Sequence, residues 1–311
     1  MLPFRQPIAS CSRLRGAALL IVLWTMLALG MVVIGFVKLT QNNINGLHQL
    51  RLEDRARQLA ESGIVMALHP QVAPGDPVLN QEFQKDESFS ARIVGESGRL
   101  QINYILKNNQ RDVLVNLFLL WGLSRIQADT VADCLLDWVN PGAGRRLNGA
   151  IAEHYRAAGL PYVPTGKEFE SLDEMTLVMN FSILSQLQPR WRDCFTIWTD
   201  GRLDFNSAPP DNIAAATGIS LAKARELADY RNGADGLSGT ADDHPFENLD
   251  SVRVFLGLNS AAFAAVQPPP CLESPIIRAE SVGNAHGRRL TLQVVARREA
   301  DLPVFMEWNE L

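Results

Sequence analysis

One stretch limits this chain more than any other. From Ala17 to Val37 it reads AALLIVLWTMLALGMVVIGFV, with no charge and no proline. As a helix it would rise roughly 31 Å at about 1.5 Å per residue, enough to cross the core of a bilayer. Arg5, Arg13 and Arg15 lie ahead of it, so the positive-inside rule places residues 1–16 in the cytoplasm and the bulk of the chain outside. A cleaved secretory signal is the rival. It requires a shorter apolar core followed by a small-x-small cleavage site. This run is too long, and no Ala-x-Ala follows it.

The helical pattern does not end with the apolar run. No strong breaker appears before Pro70, and Ala56, Ala60, Gly63, Ile64 and Ala67 recur at the spacing of one helical face. Arg51, Asp54, Arg55 and Glu61 fall largely on the other side. The chain is therefore expected to open with one helix of roughly fifty residues, apolar all round and then amphipathic.

At 311 residues the chain is too long for one small domain, and 47% hydrophobic against 20% charged residues excludes disorder. Its net charge is −5, and losing residues 1–16, which hold three arginines and no acid, takes it to −8. That balance argues against a general nucleic-acid binder. Four dispersed cysteines do not make a zinc ribbon, and five scattered histidines do not make a catalytic metal centre. There is no nucleophile elbow, P-loop, H-E-x-x-H or CxxC. Glu153-His154 reads as a solvated helix face. No enzyme is expected.

Beyond Pro70 a link holds Pro74, Gly75 and Pro77. Ser88–Ile105 alternates around Glu96-Ser97-Gly98 and is expected to form a hairpin. From Asn109 to Asn180 the period turns helical, with Ser124 capping one segment and Ser171 with Glu174 forming a capping box for another. A second segment, TIWTDGRLDFNSAPPDNIAAATGISLAKARELADYR, reads as a strand, a turn and two short helices, with Asn206 and Ser207 as the expected cap before Pro209 and Pro210. The tail alternates strongly, giving three strands with turns at Gly283–Gly287 and Ala300–Leu302. Packed on the amphipathic half-helix they make an α+β core, with helical material at about 109–268 inserted.

Leu14-Arg15-Gly16, Ala17-Ala18-Leu19-Leu20 and the long helix resemble a type IV pilin or pseudopilin, whose basic leader is cut after Gly16 on the cytoplasmic side. The resemblance implies cleavage by a prepilin peptidase and methylation of the new amino terminus at Ala17. The fifth mature position, Glu in most such subunits, is Ile21 here. That departure, the size of the chain, and the segments Glu96–Asn103, Leu135–Asn140, Phe169–Met175 and GRLDFNSAP resemble the type II secretion minor pseudopilin GspK family. The resemblance implies a pilin-like α+β fold with a large inserted α-helical region. Its parts would be a leader (1–16), a membrane or fibre-core segment (17–37), the periplasmic helix half with the first strands (38–108), two inserted helical domains (109–200 and 201–268) and the last strands (269–311). It further implies a single-pass inner-membrane subunit with its bulk in the periplasm, at the pseudopilus tip, partnering minor pseudopilins I and J and the major pseudopilin.

Three narrower expectations remain. Asp235, Asp242 and Asp243 in a Gly-rich acidic loop suit calcium, as the family resemblance suggests, with a solvated acidic turn as the alternative. At the family's other acidic patch, Asn140–Ala143 and Gly149–Ala152 replace most of the acids, leaving Asp137 and Glu153. Cys194 and Cys271, on polar and Pro-rich ground, are the expected disulfide, while Cys134 in an apolar helix is expected to be a buried thiol. Finally, Ala216-Thr217-Gly218-Ile219-Ser220 with Lys223, Arg225 and Arg231 is similar to a helix-hairpin-helix, and gives the alternative function: a membrane-anchored DNA-binding protein. Ser220 stands where that motif has its second glycine.

Overall fold

The computed structural model describes residues 13–299 and 302–311, leaving aside the side chains of 13–17, 39, 42–48 and 143. The chain divides into two compact units, one up to Arg55 and one from Ala56 to Leu311. Helix α1 (Arg13–Leu68) supplies all the described structure of the first and the opening of the second. In the first unit its apolar side chains, from Leu19 to Val37, are exposed. Ala18–Lys38 is long and apolar enough to cross a membrane.

In the second unit Ala56, Ala60, Ile64 and Ala67 are buried, the face that the spacing assigned. They pack on a five-stranded antiparallel sheet: β1 (Asn80–Gln84), β2 (Glu87–Gly95), β7 (Ile276–Ala285), β8 (Arg288–Arg297) and β9 (Val304–Glu310), in the order β1-β2-β7-β8-β9. Nine shorter α-helices and four two-residue strands lie between β2 and β7, as described below. Phe89, Ala91, Ile93, Ala279, Leu292 and Val294 face the helix. Two glycines set how close it comes. A Cβ on Gly283 would lie 2.0 Å from the Ala56 carbonyl oxygen, and one on Gly63 would lie 2.2 Å from Ser281 Oγ.

The expected hairpin over Ser88–Ile105 is corrected. Strand β2 turns back on β1 upstream, through Lys85 and Asp86, with Asp86 at φ 68°. Glu96–Gly98 forms a 3-10 turn, and the chain then enters β3 (Leu100–Gln101), which pairs with no neighbour in the large sheet. The reason is burial at the turn: Glu96 is 1% exposed and accepts from Arg278 at 3.0 Å, which anchors it against β7. β3 runs parallel to β4 (Phe195–Thr196) instead.

Between β3 and β4 come α2 (Ile102–Lys107), α3 (Arg111–Leu120), α4 (Arg125–Val139), α5 (Ala152–Ala157) and α6 (Phe181–Leu187). Ser124 caps α4 in a capping box with Gln127. Ser171 accepts from the Glu174 amide as expected, but the segment it starts, Leu172–Leu177, is a 3-10 helix. Then β5 (Leu203–Asp204) pairs in parallel with β6 (Pro270–Cys271), enclosing α7 (Pro210–Thr217), α8 (Leu221–Arg231), α9 (Leu249–Phe255) and α10 (Ser260–Ala264). No side chain caps α7, which begins after Pro209; the expected cap residue Asn206 is used elsewhere. This insertion has its own apolar core, centred on residues such as Phe118, Trp138, Trp191, Phe195 and Phe205.

Candidate functional site

The elements that bear on function are the apolar part of α1, the inserted helical region and the acidic loop before α9. Gly16 and Ala17 lie in the helical backbone of α1, and their side chains are outside the described residues, as is Cys11. Ile21 is 64% exposed among other exposed apolar side chains. A carboxylate at that position would stand on an otherwise uncharged cylinder.

The inserted region contains a relation the sequence analysis missed. Gly98-Arg99-Leu100-Gln101-Ile102-Asn103 is echoed by Gly201-Arg202-Leu203-Asp204-Phe205-Asn206, Gly122-Leu123-Ser124 by Gly218-Ile219-Ser220, and Phe169-Glu170-Ser171-Leu172-Asp173 by Phe246-Glu247-Asn248-Leu249-Asp250. Each echo does the same physical job. Asn103 donates to the Phe169 carbonyl at 3.0 Å and accepts from its amide at 2.8 Å. Asn206 treats Phe246 identically, at 3.0 and 2.8 Å. Gly122 and Gly218 have φ of 91° and 73°, a left-handed backbone that glycine adopts freely, and the following Ser caps the next helix in both copies. The insertion is thus one unit used twice, β3–β4 and β5–β6 each closing a copy. A search for internal repeats would have found it.

Several buried charges sit in matched pairs or against backbone carbonyls. Arg111 bonds Asp133 at 2.6 Å and Asp129 at 2.8 Å, and the Asp133 hydrogen bond leads in raising its pKa. Arg231 is 3% exposed and donates to the carbonyls of Phe205 and Ala208. Burial lowers its pKa to about 10, against the opposing pull of Asp204 and Asp243. Burial also raises the Asp204 carboxyl.

This disposition bears on the helix-hairpin-helix expectation. α7 and α8 do form a helical hairpin, yet Arg231 is turned into the protein and Lys223 is paired with Glu226 at 2.6 Å. Of the three basic residues in that alternative, Arg225 is the one exposed on α8 with no ion pair among the described residues.

The calcium candidates share one loop, where the Thr240 hydroxyl lies 2.9 Å from Asp242 Oδ1 and 3.4 Å from Asp243 Oδ1. Asp242 accepts from the amides of Ala234 (2.6 Å) and Asp235 (3.1 Å) and from Thr240 Oγ1 (2.9 Å). Asp243 accepts from the Gly239 amide at 2.6 Å, and Asp235 from the Leu237 amide at 2.7 Å. Each carboxylate is spent on the loop's own backbone. Among the described residues no group of three or more His, Cys, Asp or Glu is placed to hold an ion.

The expected disulfide is likewise corrected: Cys194 and Cys271 are separate buried thiols, as is Cys134. Cys194 ends the turn leading into β4, in the first copy, whereas Cys271 lies in β6 of the second. Burial pushes Cys194 upward, Cys271 to about 12 and Cys134 to about 11, so all three stay protonated at neutral pH.

A long helix on an antiparallel sheet, interrupted between its second and third strands in chain order by a helical insertion, defines a pilin-like α+β subunit. Comparison with known proteins narrows this. Residues 98–190, the first copy with its flanking turn, match the family model described as type II secretion system (T2SS), protein K. The whole fold is similar to a chain in the crystal structure of the GspK-GspI-GspJ complex from the enterotoxigenic Escherichia coli type 2 secretion system. The TM-score is 0.60 at 12% identity, covering 88% of this chain and 99% of that one. No curated protein matches this chain in sequence. The resemblance to the protein K family seen in the sequence is therefore borne out, by the family model over residues 98–190 and by the fold.

Proposed function

We propose that this chain is the minor pseudopilin K of a type II secretion system. It would act at the pseudopilus tip, initiating and capping assembly with minor pseudopilins I and J. The observation that carries this is the placement of a region matching the protein K family model as an insertion in a pilin-like frame whose helix carries an exposed apolar segment at Ala18–Lys38. Prepilin peptidase would cut after Gly16 and methylate Ala17, leaving the apolar segment in the inner membrane and the second unit in the periplasm. Ile21 would suit a terminal subunit, because an unpaired carboxylate in an apolar fibre core is costly, and a subunit with none above it needs no such group. The bulk of the insertion supports one copy per fibre, since a closely spaced shaft leaves no room for it.

The test is co-purification of the full chain with minor pseudopilins I and J, together with secretion in a deletion strain. Retention of I and J with loss of secretion on deletion is expected. Normal secretion without the chain, or labelled copies repeated along the shaft, would overturn the reading.

A further inference from the structure

The two copies of the inserted unit differ in what covers the end of their second long helix, α4 in one and α8 in the other. In the first, α4 ends on Leu135-Leu136-Asp137-Trp138-Val139-Asn140, and both central side chains are covered. Trp138 is 1% exposed beneath Tyr155 and Tyr162, with ring centroids at 5.6 and 6.3 Å. Asp137 is fully buried and pairs with Arg146 at 2.9 Å. All three covering residues come from the segment between α4 and Phe169. In the second copy α8 ends on Leu227-Ala228-Asp229-Tyr230-Arg231-Asn232, and the segment before Phe246 is shorter and carries no helix. Tyr230 is 52% exposed. It is nonetheless the hub of a ring cluster, 5.4 Å from Phe246 and 5.3 Å from Phe255. Asp229 is exposed and has no ion pair among the described residues.

We propose that this bare Asp-Tyr end is a docking surface for a segment of another protein that carries an arginine and, some residues on, an aromatic ring. The chemistry is read from the first copy, where Arg146 satisfies the aspartate and Tyr155 covers the indole. Charge agrees: Asp229 and Glu247, next in the chain to Tyr230 and Phe246, are exposed, which attracts a guanidinium and repels phosphate. The rings already accept a cation, for Lys223 sits 4.7 Å above Phe255. The inference holds whichever assembly the chain joins.

The probe is a synthetic capped peptide of residues 144–164, labelled for anisotropy and titrated into the full chain in detergent. Saturable binding is expected, at least tenfold weaker with Tyr230→Ala or Asp229→Lys, retained with Tyr230→Phe, and at least tenfold weaker when the peptide carries Arg146→Gln. Circular dichroism checks that each variant keeps its fold. Absence of saturation at millimolar peptide overturns the proposal, as does an affinity unmoved by Tyr230→Ala, which would place the peptide elsewhere. Competition by oligothymidylate would assign the surface to nucleic acid and overturn it too.

Discussion

Gly283→Ala tests how tightly the helix is seated on the sheet. A Cβ there would lie 2.0 Å from the Ala56 carbonyl oxygen and 2.5 Å from the Ala60 nitrogen, where ordinary contact begins at 3.4 Å. Both obstacles are backbone and cannot rotate aside. The helix must withdraw by about 1.4 Å, and a gap of even 0.5–1 Å forfeits roughly a quarter to a half of each dispersion contact it opens. Ala56, Leu59, Ala60 and Ile64 share that layer. Overpacking costs about 1–3 kcal/mol, and a clash with fixed atoms across a whole layer belongs at the top of that range, roughly a hundredfold in the folding equilibrium. Urea denaturation of the full chain in detergent, followed by tryptophan fluorescence, reads the change. Gly142→Ala is the control, since nothing lies within 4 Å of its Cβ position. A Gly283→Ala variant within about 0.5 kcal/mol of the parent, the usual range for a surface change, would refute the seating argument.

The companion notch should behave as a coupled pair: Gly63→Ala alone is destabilising, and Ser281→Gly should restore part of the loss, because the Cβ meets Ser281 Oγ at 2.2 Å and the Phe89 ring at 2.9 Å, and only the first contact is removed; additive single effects in the cycle would contradict the contact. Asn103→Ala and Asn206→Ala each strand a Phe amide and carbonyl, for about 2–4 kcal/mol apiece, measured by the same denaturation; one variant near neutral would break the equivalence of the two copies. Alkylation under denaturing, non-reducing conditions should modify Cys134, Cys194 and Cys271 alike, whereas modification of Cys134 without the other two would establish the disulfide. The amide of Asp235 leads, with the Thr240 hydroxyl next, in holding the Asp242 carboxyl below its ordinary 3.8. Its folded pKa is lower than its unfolded one, so its contribution is complete above about pH 4 and lost as pH falls through the folded value. Hydrogen exchange at Ala234 and Asp235 should therefore stay protected down to about pH 4 and open below it, and Asp242→Asn should remove that step.

Local pattern was enough for much of this protein. An uncharged run cannot be anything but a helix if it is to satisfy its backbone in lipid, so α1 was legible from composition alone. The Ala56–Ala67 face, the Ser124 cap and the alternation of β7, β8 and β9 were legible because each depends on neighbours within a few residues. The rest depended on partners far away in the chain. Leu100–Gln101 looks like the return arm of a hairpin until Phe195 competes for its edge and Arg278 anchors Glu96. Arg231 reads as a surface cation and is buried, because two carbonyls from Phe205 and Ala208 meet its guanidinium. Asp242 and Asp243 read as ligands from the acidic spacing alone, and only the folded loop shows that its own amides also donate to them. Trp138 and Tyr230 close the same kind of helix in nearly the same words. One is covered and the other bare because only the first copy has a long enough connection to fold back over its own helix end.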